Sequence, residues 1–185
     1  MNKKLFFACL TTALSTLQGC SHVADRYSPS ADGVEIARRY QGTPINVGTF
    51  KTAQGVAVTE VSCAAAGIVL ADGVSFADYI RSAFVAELKM AGAYSAASPL
   101  TITGNLERLD VDVSALSMMG EWQITLTVSG PTHSFAVSEN YQFQAQSMTM
   151  TRCDGSARRF NSAVQNLVAK VLASPEFMSM VREQK

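Results

Sequence analysis

Two stretches past the middle of the chain alternate apolar and polar side chains with a strict period of two. In the first, Trp122, Ile124, Leu126 and Val128 fall on one side and Gln123, Thr125 and Thr127 on the other. In the second, Phe135, Val137, Tyr141, Phe143 and Ala145 oppose Ser138, Asn140, Gln142, Gln144 and Gln146. Successive side chains of a strand point to opposite faces, so each stretch predicts a strand with one covered and one wetted face. Gly130-Pro131-Thr132-His133 supplies the turn between them. Antiparallel sheets commonly expose one face in this way, whereas parallel sheets are covered on both. The pair therefore demands apolar cover on one side only.

The rest of the chain offers that cover. Leu100, Ile102, Gly104 and Leu106 alternate, and Leu109, Val111 and Val113 resume after a change of phase that fits a bulge. Residues 45–51 and 56–63 are β-branched runs separated by Thr52-Ala53-Gln54-Gly55, the pattern of a hairpin. Phe76, Ile80, Phe84, Leu88 and Ala91 recur at helical spacing behind Ser75, an N-cap with Asp78 three residues on, and Gly92 supplies the stop. A second stripe comprises Phe160, Val164, Leu167, Val168 and Val171. Ser174 and Pro175 then open a short last helix carrying Phe177, Met180 and Val181. The expected order is β-β-α-β-β-β-α. That order predicts an α+β fold: an antiparallel sheet of about five strands with two main helices packed on one face.

Residues 1–19 predict a cleaved targeting segment and are set aside from fold reasoning. Lys3 and Lys4 form a positive n-region, and an apolar run follows over residues 5–17, too short to span a bilayer. It ends at Leu17-Gln18-Gly19-Cys20. Gly19-Cys20 resembles the bacterial lipobox, in which the cysteine becomes the acylated N-terminus; a plain secretory signal with a chance cysteine is the alternative. Gln18 departs from the small or aliphatic residue usual there. Each buried methylene contributes about 0.8 kcal/mol, so two or three acyl chains on Cys20 would hold firmly where one holds marginally. Ser21, rather than Asp, after the cysteine implies an outer-membrane destination by the sorting rule of enteric bacteria. Residues 20–44 read as a lipidated N-terminus and a mixed spacer, with a short helix conceivable at 34–40, and 45–185 as a single globular domain.

The whole chain carries 15 basic and 15 acidic side chains; loss of Lys3 and Lys4 leaves 13 against 15, a net charge of −2. With 48% hydrophobic residues in 185, the composition excludes a disordered polar chain, and the mild acidity argues against nucleic acid as a partner. Four cysteines become two once Cys9 departs and Cys20 is acylated. Cys63 and Cys153, 90 positions apart, are then an even remainder outside the cytosol, which predicts one disulfide; two separately buried thiols are the alternative.

Catalytic chemistry finds little to work with. His22 lies beside the acylated cysteine, and His133 lies in a turn, so neither is placed to serve a nucleophile. Asp110 and Asp112 share the polar face of a strand, where solvated carboxylates are the ordinary outcome. Glu139 falls in the apolar register between Val137 and Tyr141; either it pairs with an arginine at the sheet edge or the apolar face ends there. Met118-Met119 and Met148-x-Met150, expected near strand ends, could offer soft ligands to Cu(I), but no histidine is near, and they read as core or edge filling or an adaptable apolar surface. No catalytic residue, metal or cofactor is expected.

One resemblance adds to this reading. Phe76-x-x-Tyr79-Ile80-x-x-Ala83-Phe84-x-x-Glu87-Leu88-x-x-Ala91-Gly92-x-Tyr94, followed by Leu100-x-Ile102-x-Gly104-x-Leu106, resembles small Gram-negative envelope lipoproteins. These are the YajG-like group and the auxiliary lipoproteins of ABC-type lipid transport systems, similar in element order from residue 45 to about 181. The resemblance implies a non-enzymatic, membrane-anchored domain that is often an accessory to a larger envelope assembly. The wetted ladder, uncharged and available for hydrogen bonding, makes Gln123, Thr125, Thr127, Asn140, Gln142 and Gln144 the candidate face for an envelope protein partner. The alternative is a carrier holding a lipid or other apolar ligand between helices and sheet, in a cavity lined by residues such as Phe84, Leu88, Trp122, Phe143 and Phe160.

Overall fold

A computed structural model describes residues 21–64, 66–113, 118–145 and 149–183. Residues 1–19, where a signal segment is expected, and Cys20, Gln146 and Met148 lie outside the described residues. The fold is α+β, built from seven strands and four helices among the described residues. In chain order these are β1 (Ser21–Ala24), α1 (Ala31–Ala37), β2 (Asn46–Thr52), β3 (Glu60–Cys63), β4 (Ala66–Leu70) and α2 (Phe76–Met90). There follow β5 (Thr101–Asp112), β6 (Met119–Ser129), β7 (Ser134–Gln144), α3 (Thr149–Ala173) and α4 (Pro175–Arg182).

The strands form two sheets, not one of about five. The larger has the order β2-β5-β6-β7 and the smaller β1-β4-β3. The expected hairpin of residues 45–63 is not formed, because β2 and β3 belong to different sheets. β2 instead runs parallel to β5, with Val47 opposite Ile102 and Phe50 opposite Gly104. Gly104 makes this possible: a Cβ there would sit 2.6 Å from Phe50 Cδ2. β3 turns directly into antiparallel β4 through Ala64, whose φ is 51°. Both sheets are therefore mixed rather than antiparallel, since β1 also pairs with β4 in parallel. A parallel pair needs a long crossover, and α2 lies in the one between β2 and β5.

The central hairpin has the expected form. β6 and β7 pair from Met119 opposite Gln144 to Ser129 opposite Ser134, and the Gly130 amide donates to the His133 carbonyl at 3.0 Å across the turn. The change of phase in β5 is a register shift between Leu106 and Arg108. α2 starts at its Ser75 cap, whose hydroxyl accepts the Asp78 amide at 3.0 Å, and it stops before Gly92, at φ 70°. Ser174 caps α4 by accepting the Phe177 amide.

Residues 21–44, expected as a spacer, are packed into the body. Ser21–Ala24 is a strand, and Ser30 caps α1, which runs into a single 3-10 turn at Arg38–Tyr40. Val34, Ala37 and Tyr40 are buried. The Tyr40 hydroxyl reaches the Leu172 carbonyl at the end of α3. Strand β4 and side chains of α2 and α3 satisfy much of this segment's backbone, and helix α3 packs against both β1 and α1.

Candidate interaction face

The outer face of β6 and β7 gathers the six residues expected there. Cross-strand register sets Gln123 opposite Asn140 and Thr125 opposite Ser138, while Trp122, Ile124, Leu126 and Val128 point inward and are buried. Asn140, Gln142 and Gln144 are exposed, and Gln123, Thr125 and Thr127 half-buried. Thr125 and Ser138 share a hydroxyl–hydroxyl hydrogen bond of 3.0 Å.

This ladder is not free of charge. Glu121, two residues before Gln123 and on the same face, accepts from the Gln123 amide at 2.6 Å and the Gln142 amide at 3.1 Å. These two donors, the Gln123 amide first, hold its carboxyl below the usual carboxylate range. The period-two register places Glu121 on this face, and that signal was sufficient to include it. β5 extends the surface. Asp110 lies opposite Gln123 and pairs with Arg108 Nε at 2.8 Å, and Asp112 lies opposite Glu121. Asp110 and Asp112 thus flank the amide ladder on one polar face.

His133 Nδ1 lies 3.0 Å from Thr132 Oγ1, and Nε2 lies 3.2 Å from the Glu176 carbonyl at the start of α4. His22 is in β1, opposite Ile68. Glu139 is buried, and its partner is a lysine from a helix rather than an arginine: Lys170 Nζ of α3 stands 2.5 Å from its carboxylate. Met118 and Met119 are exposed at the start of β6. Met150 lies in the first turn of α3, and Met148 is outside the described residues. Among the described residues, no group of three or more His, Cys, Asp or Glu side chains could hold a metal ion, and no helix is long and apolar enough to cross a membrane.

Cys63 and Cys153 form a disulfide, with Cα atoms 5.8 Å apart. It ties the end of β3 to the first turns of α3, which together with β6 and α2 carries the apolar centre. There Trp122, Phe160 and Phe84 are fully buried. The Trp122 and Phe160 rings stand 4.8 Å apart, and Trp122 Nε1 donates to the Ser156 carbonyl at 2.9 Å. Phe84 packs on Phe50 at 5.5 Å between ring centres. The side chains named for a ligand cavity therefore touch other core groups.

One buried acid was not singled out from the sequence. Glu87 is fully buried on α2, and its Oε1 accepts from the Tyr27 hydroxyl at 2.6 Å and the Ser30 amide at 2.8 Å. Burial first, then this hydrogen bond, pushes the Tyr27 phenol up. An open cleft of about 720 Å³ lies between β3 and β5, with Glu60, Ser62, Glu107 and Arg108 on its walls.

No family model matches the chain, and no curated protein matches it. A solved structure described as that of an uncharacterized protein aligns with 89% of this chain and 99% of its own, at 10% identity and a TM-score of 0.40. That likeness says nothing about activity.

Proposed function

We propose that the protein is a non-enzymatic lipoprotein of a Gram-negative cell envelope, held by acyl chains on Cys20 in the outer membrane and facing the periplasm. In this reading it acts as an accessory or interaction domain for another envelope protein. The observation that carries the reading is the β6–β7 outer face, where Gln123, Thr125, Asn140 and Gln142 form an amide- and hydroxyl-rich surface beside Glu121. Hydrogen-bonding groups on a rigid sheet can recognise a partner without costly desolvation of many charges. The disulfide supports an oxidising compartment. Direct contact between Trp122 and Phe160 favours this reading over the carrier, which needs space where those rings lie.

The test is native co-purification from detergent-solubilised envelopes, with Thr125→Lys and Asn140→Lys as variants. A partner that travels with the parent chain and is lost from folded variants supports the interaction face. A partner retained by both variants shows that this face is only solvated, and a co-purifying lipid with no protein favours the carrier.

A further inference from the structure

Ser21 is the first residue of β1 and lies opposite Gly67 in β4. A chain acylated on Cys20 would therefore have no free spacer: the anchor is one residue from a strand hydrogen-bonded into the body. The part of the molecule around Ser21 must then lie near the bilayer.

Strand direction shows which part that is. β1 and β4 run in parallel, so Ser21 lies at the start of β4, where Cys63 lies opposite Ala66. Cys63 is bonded to Cys153 near the start of α3. Arg152 beside it reaches the Val113 carbonyl at the end of β5. β6 begins at this same end, since Asp112 lies opposite Glu121 and the Met118 carbonyl accepts the Ala145 amide at 2.8 Å. Two large apolar side chains emerge here, Met118 at 73% exposure and Met119 at 44%. Flexible thioethers suit a fluid apolar surface. Asp112 and Glu121 lie opposite each other on the polar sheet face, and Met119, two residues before Glu121 and opposite Gln144, leaves from that same face at its end. The opposite end, with the β6–β7 turn and α4, is about 33 Å away along the eleven residues of β6.

We propose that Met118 and Met119 are a membrane-contact site: the disulfide end of the domain rests on the phospholipid surface, and the β6–β7 turn points away from it. This rests on the lipoprotein reading above and adds an orientation to it.

The test uses the full chain made in a Gram-negative host and purified from its envelope, with its intact mass read first. It is then reconstituted in phosphatidylethanolamine–phosphatidylglycerol vesicles, with and without dibrominated phosphatidylcholine. Met118→Trp and Met119→Trp report the proposed contact, Thr132→Trp reports the far end, and the buried Trp122 supplies a common background. Two reporters at exposed positions guard against one that fails to fold. Quenching several-fold stronger at 118 and 119 than at 132 is the expected result. Acylated protein whose three reporters are quenched alike overturns the orientation and leaves the lipoprotein reading standing. A chain without acyl groups overturns the lipoprotein reading, and the orientation with it.

Discussion

The Tyr27 hydroxyl donates to Glu87 Oε1 at 2.6 Å, joining the segment before α1 to the last turn of α2 across 60 positions of sequence. The Ser30 amide donates to the same oxygen, so a single buried carboxylate holds both the strap of residues 27–30 and the start of α1. Tyr27→Phe removes one hydrogen bond to a carboxylate and should cost about 1.5–3 kcal/mol, read as a lower urea midpoint at unchanged slope.

The same contact sets a pH limit. Burial, followed by the hydrogen bond to Glu87, raises the Tyr27 pKa in the folded chain, and burial raises that of Tyr79. The unfolded chain then loses these protons first, so stability is full below pH 10 and declines as pH climbs above it. Urea titrations between pH 9 and 11 should show this decline, with a shallower slope in Tyr27→Phe; equal slopes would remove Tyr27 from the account.

The Cys63–Cys153 disulfide closes a loop of 90 positions. By chain entropy, its removal should cost roughly 4–5 kcal/mol. Unfolding of the Cys63→Ala, Cys153→Ala double variant, or of the parent chain under a strong reductant, measures it. A loss below about 1 kcal/mol would mean that the unfolded chain already holds β3 near α3.

Gly104→Ala should be costly, although Ala favours strands more than Gly does. The new methyl would meet Phe50 at 2.6 Å, and overpacking of this kind costs about 1–3 kcal/mol. Phe50→Leu in the same chain should recover part of the loss, as a double-mutant cycle would show.

Glu139 and Lys170 form a pair with one buried and one half-exposed member. Lys170→Met strands a buried carboxylate and should destabilise by about 1–3 kcal/mol, less than for a fully buried pair because water reaches the lysine. Adding Glu139→Leu should restore stability. β7 is an edge strand, and an inward-pointing charge is one way such edges resist pairing with other chains. The double variant should therefore aggregate more readily, as light scattering at matched concentration would detect.

What could be read in advance was what local periodicity encodes. The β6–β7 hairpin, the β5 bulge, the Ser75 and Ser174 caps and the apolar stripes of α2 and α3 all repeat within a few residues. β1 and β4 carry no such signal: four and five residues are too few to show a period, and Ala66-Gly67-Ile68-Val69-Leu70 does not alternate. The pairing of β2 with β5 was hidden because a parallel partner lies some fifty residues away and leaves no mark on the turn between β2 and β3. The candidate face was legible by alternation. Glu87 was not, since an acid in a helix acquires meaning only from Tyr27 and Ser30, which arrive from elsewhere.

The placement of residues 21–44 also governs when this chain can finish folding. Ser28 donates its amide to Asn161 and receives a hydrogen bond from Gln165 at its carbonyl, partners 133 and 137 positions downstream. The earliest part of the body to leave a ribosome or a translocation pore is thus completed by one of the last. Contacts of such high order slow folding, and they leave this segment incompletely covered until α3 is in place. A chain cut before α3 should leave β1 and α1 accessible to protease, and the full chain should close them in a late step.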